Sequence, residues 1–247
     1  MEKETEFLIN IVKSASKLIT KEFTVNAKDD KGDLVTSFDF EIEKYLISQI
    51  KQSYPTFDIV SEEFNTKAEL TKNCFVIDPI DGTVNFAHEI PLWGIQVACV
   101  KNGEVCSSVM FLPKLNELYY ADKTGAYLND ERLHLKGAKF NKGIVSVEGL
   151  NKMPCRVRAE NSGLKTRNYG CACLSYAWVA SGKIDGFVFK NNKYWDYVPG
   201  LYLIKQAGGF VIDKNNCHLG ACTKELASTL EYVCTDYPDD EIELRHK

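Results

Sequence analysis

The chain lacks the features that mark several classes of protein. Its 30 Lys and Arg residues against 34 Asp and Glu give a net charge of -4, so it has no basic excess of the kind that binds nucleic acid or anionic membranes. No uncharged apolar run approaches the length of a membrane span. Residues 1–6 are acidic and lack the basic start and apolar stretch of a signal peptide. We therefore expect a cytoplasmic protein with no nucleic-acid and no membrane partner.

Cysteine and histidine are present, but not in the spacings of zinc sites or redox motifs. The nine cysteines contain no Cys-x-x-Cys pair, and the four histidines are scattered. The number of cysteines is odd, and most lie in apolar runs, as small buried residues do. The sequence therefore predicts reduced thiols and no structural zinc site.

Hydrophobic periodicity predicts a mixture of helices, strands and hairpins over 247 residues. The predicted helices are the first twenty or so residues, Asp39–Ser53, Cys173–Ala180 and Val198–Ala207; the main predicted strands are Phe57–Val60, Gly94–Val100, Val105–Phe111, Leu118–Ala121, Ile144–Val147, Gly186–Phe189 and Phe210–Ile212. This mixture favours α+β layers over a regular βαβ array. A basic, glycine-containing stretch near 136–142 suggests a boundary between an N-terminal half, 1–140, and a C-terminal half, 141–247.

The segment Phe75–Thr83 is an apolar run that ends in two carboxylates, a glycine and a threonine. Pro79 favours an extended conformation at Asp78, so the strand is predicted to end there. Asp81-Gly82 is a turn signal, and glycine lets the backbone approach a ligand closely. Carboxylate oxygens suit Mg²⁺, and free N–H groups at a helix start suit an anion. The segment therefore predicts a site for a metal ion beside a phosphate.

Other acidic residues stand where strands end or helices begin, the places at which distant segments can converge. Glu62 and Glu63 follow a predicted strand, Asp39 begins a helix, and Asp196 precedes another. Each has an ordinary structural explanation, because Asp39 and Asp196 fit helix N-caps and the glutamates fit a solvated loop. In combination with Phe75–Thr83, these residues favour a shared acidic site.

The order and spacing of these motifs resemble the inositol monophosphatase family, within the superfamily of lithium-sensitive, magnesium-dependent phosphatases. The matching segments are Lys31–Thr36, Ser61–Glu63, Asp78–Phe86, Gly125–Asn129, Arg167–Gly170, Trp195–Asp196 and Ala207–Gly209. The resemblance covers nearly the whole chain. It implies five alternating layers, α-β-α-β-α, with the active site between a larger N-terminal and a smaller C-terminal half. Homodimers are frequent among relatives, so the resemblance also implies a homodimer.

The resemblance implies two or three Mg²⁺ ions, for which Mn²⁺ substitutes. Its implied ligands are Glu62, Asp78, Asp81 and the Ile80 carbonyl oxygen for a first ion, and Asp81 with Asp196 for a second. A polar loop with Lys28 and Lys31 would cover a further, mobile ion position. Lithium inhibition at millimolar concentration follows from the same resemblance.

The resemblance also assigns catalytic and substrate-binding roles. Thr83, Asp39 and Glu63 would be catalytic, Thr83 and Asp39 by positioning or deprotonating a water and Glu63 by supporting the metal ligands; Gly82 and Thr83 would bind phosphate through their N–H groups, and Gly170, Cys171 and Ala172 would line the organic half of a small phosphorylated metabolite. The implied reaction is hydrolysis of a phosphomonoester by a metal-activated water, which needs no side-chain nucleophile. His88 fits a polar residue near the site better than a catalyst.

The sequence departs from the family pattern in places that concern the substrate. Inositol-preferring relatives have a glutamate a few residues before Trp-Asp, whereas Phe189–Tyr194 has two lysines and no carboxylate. Lys190 would either meet an anionic group of the substrate or lie on a solvated loop. Cys171 is a weaker hydrogen-bonding residue than the Ser or Thr usual there. The stretch 146–167 is short, which leaves substrate range and oligomeric state open.

Three alternatives to a simple monophosphatase stay open at this point. One is a bisphosphate phosphatase, of the fructose-1,6-bisphosphatase or the 3′-phosphoadenosine type. Another is a non-catalytic regulatory protein that keeps the fold, although the intact acidic residues argue against it. A calcium-binding module is the weakest, because no loop resembles an EF-hand.

Overall fold

Two β-sheets organise the chain in the computed structural model, which describes residues 1–28, 32–137, 143–149, 152–214 and 216–234. The strands are β1 (Val25–Ala27), β2 (Leu34–Thr36), β3 (Asp58–Ser61), β4 (Asn73–Asp81), β5 (Gly94–Lys101), β6 (Glu104–Leu112), β7 (Glu117–Asp122), β8 (Gly125–Leu128), β9 (Glu131–Arg132), β10 (Ile144–Gly149), β11 (Lys165–Arg167), β12 (Gly186–Lys190), β13 (Phe210–Lys214) and β14 (Cys217–Ala221). The helices are α1 (Lys3–Ser16), α2 (Ser37–Ser53), α3 (Thr83–Ala87), α4 (Lys152–Asn161), α5 (Ala172–Ala180), α6 (Tyr194–Gln206) and α7 (Lys224–Cys234), with a short 3₁₀ turn at Pro113–Leu115. In this part of the chain no helix has the length and apolar character of a membrane span.

The larger sheet has seven strands in sequence order, β3 to β9, and only its β3–β4 pair is parallel. The smaller sheet has five strands in the order β11-β10-β12-β14-β13, with β10 parallel to both of its neighbours. Strands β1 and β2 form a separate hairpin. The Asn102-Gly103 turn between β5 and β6 has positive φ at both residues, as a tight hairpin requires.

The hydrophobic residues place helices on both faces of each sheet. On β4, Phe75 and Ile77 pack with α1 and α2, whereas Val76 packs with α5 and α6. Phe187 of β12 joins this second cluster, so α5 and α6 lie between the two sheets. Val147 of β10 packs with α4 and α7 on the outer face of the smaller sheet. The layers are therefore α-β-α-β-α, which confirms the predicted fold class.

Several predicted boundaries were wrong. Strand β4 continues past Pro79 to Asp81, because the proline lies in an irregular part of the β4–β5 pairing, where its missing N–H costs no ladder hydrogen bond. Helix α6 begins at Tyr194, not Val198, because the N-cap position falls on Lys193. Asp196 therefore lies in the first turn of the helix and does not cap it. Helix α1 ends at Ser16, before the apolar pair at 18–19.

The C-terminal part differs most from the prediction. Strand β13 is an edge strand with an exposed Phe210, whereas a final core strand was predicted, and β14 follows it. Helix α7 packs on the smaller sheet and brings Cys234 to Cys217 of β14, with which it forms a disulfide. The prediction of reduced thiols is wrong for this pair, since spacing along the chain does not reveal contact made by packing. The division into halves at 140 stays a prediction.

Gly200 makes the close packing of α6 on α5 possible, and its replacement is expected to destabilise the fold. A Cβ atom on Gly200 would lie 2.2 Å from Cγ of the fully buried Tyr176 ring. Because a packed core accommodates extra atoms only with strain, Gly200→Ala is expected to lower the free energy of unfolding by about 3 kcal/mol. Urea denaturation measures this, with the exposed α6 variant Lys205→Ala as a control that stays within about 0.5 kcal/mol. Equal stability of the two variants would contradict the packing.

Candidate active site

A cavity of about 600 Å³ opens where the two sheets and the layer of α5 and α6 meet. Its walls include the end of β4, the turn into α3, the start of α5, the end of β10, and the segment between β12 and α6. Of the predicted site residues, those lining it are Glu62, Asp78, Ile80, Asp81, Gly82, Thr83, Gly170, Cys171, Ala172 and Asp196. The fold thus brings together residues from four distant segments of the sequence.

Asp78 is a buried carboxylate at the end of β4, with 1% of its surface exposed. Gln96 is its partner across the β4–β5 ladder, and the Gln96 amide donates to Oδ2 of both Asp78 and Asp81, at 3.3 Å each. The other oxygen, Asp78 Oδ1, has no hydrogen-bond partner among the residues that the structure describes. Burial and the nearby Glu62, Asp81 and Asp196 raise the Asp78 pKa well above its usual range. A buried, unpartnered carboxylate oxygen is costly and marks a place for a cation.

Asp81 joins the larger sheet to the start of α5. Its Oδ1 accepts the Ala172 N–H at 3.2 Å, and its Oδ2 accepts the Cys173 N–H. Burial raises the Asp81 pKa to about 7, against the lowering effect of these N–H groups. Asp81 is therefore held rigidly while its ionised form remains poorly stabilised.

Lys28, from the end of the β1 strand, reaches into the cavity and bridges two glutamates after β3. Its Nζ lies 2.8 Å from Glu62 Oε1 and 2.6 Å from Glu63 Oε1. Burial lowers the Lys28 pKa, but the two carboxylates outweigh it and the pKa lies above the usual value. Burial also raises the Glu63 pKa to about 7. Lys31, the other predicted loop lysine, lies outside the described residues.

Thr83 lines the cavity, and the carboxylate of Asp39 lies buried beside its hydroxyl. Thr83 Oγ1 lies 3.3 Å from Asp39 Oδ1 and donates to the Ile80 carbonyl oxygen at 2.9 Å. Asp39 is fully buried in the first turn of α2, where its Oδ2 accepts the N–H and the hydroxyl of Thr36 at 2.7 and 2.5 Å. Burial raises the Asp39 pKa to about 6. Thr36, not Asp39, is thus the N-cap of α2, and Asp39 completes a capping box three residues later while it also contacts Thr83.

Gly82 makes the turn that presents this pair. Its φ of +87° is a left-handed conformation, and an added Cβ would lie 3.0 Å from the Leu92 carbonyl oxygen and 3.1 Å from Cys171 Cβ. Only glycine fits such a position without strain. The turn therefore brings β4 close to the start of α5.

Asp196 faces the cavity from the first turn of α6, and the Asn191 side-chain amide donates to its Oδ2. Burial, Glu62 and Asp81 raise the Asp196 pKa well above its usual range. The Asn191 Oδ1 in turn accepts the N–H of Asn192 at 2.6 Å and of Lys193 at 3.2 Å. Asn191 thus holds the two residues that precede α6 and orients Asp196.

The chemistry of these acidic groups suits a hard cation, although several of their oxygens accept hydrogen bonds from protein groups. Over the described ranges, no group of three or more His, Cys, Asp or Glu side chains is arranged as a ready metal site. Their oxygens instead accept from Lys28, Gln96, Asn191 and the start of α5. Each carboxylate also raises the pKa of another, which means that negative charge is left uncompensated. A divalent cation would supply that compensation.

Comparison with known proteins identifies the family. A sequence profile of the inositol monophosphatase family matches residues 1–240. The chain belongs to the inositol monophosphatase family. The fructose-1,6-bisphosphatase/inositol-1-monophosphatase of Thermotoga maritima is 34% identical over 204 residues, which cover 81% of this chain and 79% of that protein. The Nus factor SuhB of Pseudomonas aeruginosa is 32% identical over 212 residues, covering 79% and 77% of the two chains.

The solved structures agree with this assignment. The structure of the Thermotoga maritima inositol monophosphatase is 29% identical and superposes with a TM-score of 0.81, covering 92% of this chain and 96% of that one. The layered architecture is therefore that of the inositol monophosphatase family.

Within this family site, three polar residues contribute that the sequence motifs did not reveal. Gln96, Asn191 and Glu148 stand outside the motifs, yet Gln96 and Asn191 hold acidic residues, and Glu148 and Asn191 line the cavity. A polar residue inside an apolar strand was the available signal for Gln96 and Glu148. Lys190, predicted to contact substrate, is buried in β12 and does not line the cavity among the described residues, whereas Lys193 does.

Proposed function

We propose that this protein hydrolyses a phosphomonoester of a small polyol, sugar or related metabolite with the help of Mg²⁺. The observation that carries the proposal is the set of carboxylates of Asp78, Asp81 and Asp196 in one cavity, where Asp78 Oδ1 has no hydrogen-bond partner among the described residues and Thr83 lies beside the buried Asp39. Family membership supports a phosphatase. The number of acidic groups is what two bound cations would need.

Glu62, Asp78, Asp81, the Ile80 carbonyl oxygen and Asp196 are the groups we propose as ligands of Mg²⁺, with Mn²⁺ as a substitute. Bound Mg²⁺ lowers the pKa of a water and neutralises phosphate oxygens. Glu62, now paired with Lys28 at 2.8 Å, would hold the ion in place of that ammonium group. Glu63 would remain paired with Lys28 and, through this lysine, support the position of Glu62.

The other residues position the reactants. We propose that Thr83 Oγ1 accepts a hydrogen bond from the attacking water while its hydroxyl proton turns from the Ile80 carbonyl oxygen to Asp39 Oδ1, 3.3 Å away, which gives the proton a path to a carboxylate. The N–H groups of Gly82 and Thr83 would hold the phosphate, and Gly170 with Ala172 would line the organic half. The Cys171 thiol accepts the Leu174 N–H and contacts the Asp81 carbonyl oxygen, so its structural role is to begin α5.

A screen of phosphorylated metabolites for release of inorganic phosphate, with and without Mg²⁺, tests this proposal. Magnesium-dependent release from polyol or sugar monophosphates is the expected result. No release from any ester by a folded, Mg²⁺-supplied protein would contradict it. The same samples, passed through a sizing column with light scattering, test the proposed homodimer.

Mg²⁺ binding is expected to weaken as pH falls below 7. The pKa of Asp81 is raised to about 7, so this proposed ligand holds a proton below that pH, and ligands must lose their protons to bind metal. With one proton released per ion, the half-saturating Mg²⁺ concentration should rise about tenfold for each pH unit below 7. Titration calorimetry in two buffers of different ionisation enthalpy measures the number of protons released per bound Mg²⁺. A half-saturating concentration that is constant from pH 5.5 to 8 would contradict the raised Asp81 pKa.

Two other functions have specific observations in their favour. Lys193 lines the cavity and lies over the Trp195 ring, where a second phosphate of a bisphosphate substrate would find a cation. Relatives named Nus factor SuhB favour a regulatory protein. A bisphosphate hydrolysed far faster than every monophosphate would select the first function, and a folded protein without turnover would select the second.

A further inference from the structure

Glu148 is a buried carboxylate that faces the cavity from β10, a strand in which the other side chains are small or apolar. Only 5% of its surface is exposed. Its partner in the parallel β10–β12 ladder is Phe189, the first residue of the stretch that lacks a carboxylate. The cavity therefore has a carboxylate beside Phe189, and it is supplied by the neighbouring strand β10.

Hydrogen bonds fix the Glu148 side chain in one orientation. Its Oε1 accepts the Ser146 and Ser175 hydroxyls at 2.7 Å each and the Tyr169 N–H at 3.3 Å. Its Oε2 accepts one hydrogen bond, from the Cys171 N–H at 3.1 Å. A carboxylate oxygen has room for two donors, so within the described ranges Oε2 keeps one acceptor position. A group this firmly held on a strand is pre-organised to receive a ligand.

Glu148 also lacks a cationic partner among the described residues. No Lys, Arg or His nitrogen of the described residues forms an ion pair with it. It has no place among the proposed metal ligands, and its charge contributes to the raised Asp81 pKa. Such a carboxylate favours ligand groups that donate hydrogen bonds.

We propose that Glu148 determines substrate specificity by accepting a hydrogen bond from a hydroxyl of the organic half of the substrate. The inference rests on the proposed phosphatase function. It selects hydroxylated esters, such as polyol and sugar phosphates, over esters of the same length without hydroxyls. The Oε1 contacts to Ser146 and Ser175 hold the acceptor in place, and the Oε2 contact to Cys171 N–H aligns it with the substrate-facing loop.

The test compares two esters that differ only in their hydroxyls, sorbitol 6-phosphate and hexyl phosphate. The measured quantity is the ratio of their kcat/KM values in wild-type protein and in Glu148→Gln. Since a hydrogen bond to a charged acceptor is stronger than one to an amide, we expect the variant to lower this ratio about tenfold. Most of that loss should appear in KM for sorbitol 6-phosphate. Glu131→Gln, on the exposed strand β9, is the matched control and should leave the ratio unchanged.

A purely structural role for Glu148 gives a different result. Loosening the segment from Tyr169 to Cys171 would slow both esters equally, and an unchanged ratio would overturn the proposal. If Glu148→Gln does not fold, Glu148→Asp replaces it as the test variant. Glu148→Asp keeps the carboxylate but sets it back from the substrate by one methylene, so it should lower the same kcat/KM ratio. If the wild-type protein hydrolyses neither ester, the metabolite screen decides the proposed function separately. The two esters are then titrated as ligands of the Mg²⁺-supplied protein, and the ratio of their Kd values tests Glu148 in the same way.

Discussion

Asp81→Asn is expected to reduce phosphate release at least a thousandfold and to leave the protein folded. Asp81 is the one carboxylate that both proposed ions would share, and an amide neither carries the charge nor offers two anionic oxygens. Phosphate release under saturating substrate, over a wide range of Mg²⁺, measures the loss. Asp58→Asn, at an exposed position of β3, is the control for the same chemical change outside the cavity. Retention of more than a tenth of the wild-type rate by Asp81→Asn would refute the metal assignment.

The same variant should alter how stability depends on pH. The Asp81 pKa is raised to about 7 in the folded protein, from an ordinary value of 3.8. A carboxyl group of this kind binds its proton more tightly in the folded than in the unfolded state, so stability falls as pH rises from about 4 to about 7. Asp81→Asn removes this contribution, and metal-free thermal unfolding at pH 5 and pH 8 should differ less in the variant. An unchanged difference would show that the Asp81 pKa is not raised.

Thr83→Ala is expected to slow turnover about a hundredfold or more without weakening Mg²⁺ binding. The substitution removes the hydroxyl that links Asp39 to the cavity, and a positioned proton acceptor contributes about 10²- to 10⁴-fold to such reactions. Thr83→Ser keeps the hydroxyl and should keep most of the activity. The measurement is kcat together with the half-saturating Mg²⁺ concentration, which should stay constant.

Thr124→Ala provides a matched comparison for this prediction. Its hydroxyl donates to Asp122 at 2.5 Å in the turn after β7, so the variant also breaks a threonine–aspartate pair, but away from the cavity. We expect a small loss of stability and no change in kcat. Equal kcat values for Thr83→Ala and Thr124→Ala would exclude a role for the Thr83 hydroxyl in turnover.

The sequence predicted the acidic centre better than its surroundings. The segment Phe75–Thr83 combines a strand, two carboxylates and a glycine turn in consecutive residues, so its geometry is largely local. Gln96 and Asn191 could not be assigned in the same way, because their roles depend on a ladder partner and on a helix start. Glu148 depends on which strand lies beside β12, and only the tertiary structure shows this.

The same reasoning explains the errors in the fold. The local conformational preference of Pro79 predicts a strand end, but the larger sheet accommodates this proline in an irregular pair. The Cys217–Cys234 disulfide and α7 depend on packing between segments that are separate in sequence. Local conformational preferences thus predicted the type of most helices and strands but not the residues at which they begin and end.

The helical layer formed by α5 and α6 has a consequence for any attempt to divide the molecule. These two helices cover Val76, Ala98 and Met110 of the larger sheet and pack against Phe187 of the smaller one. A fragment that stops before β10 would leave that apolar face of the larger sheet bare to water, and such a surface promotes aggregation. A fragment truncated before β10 should therefore be insoluble when it is produced alone. Reassembly of the folded protein from two fragments should require that both are synthesised together.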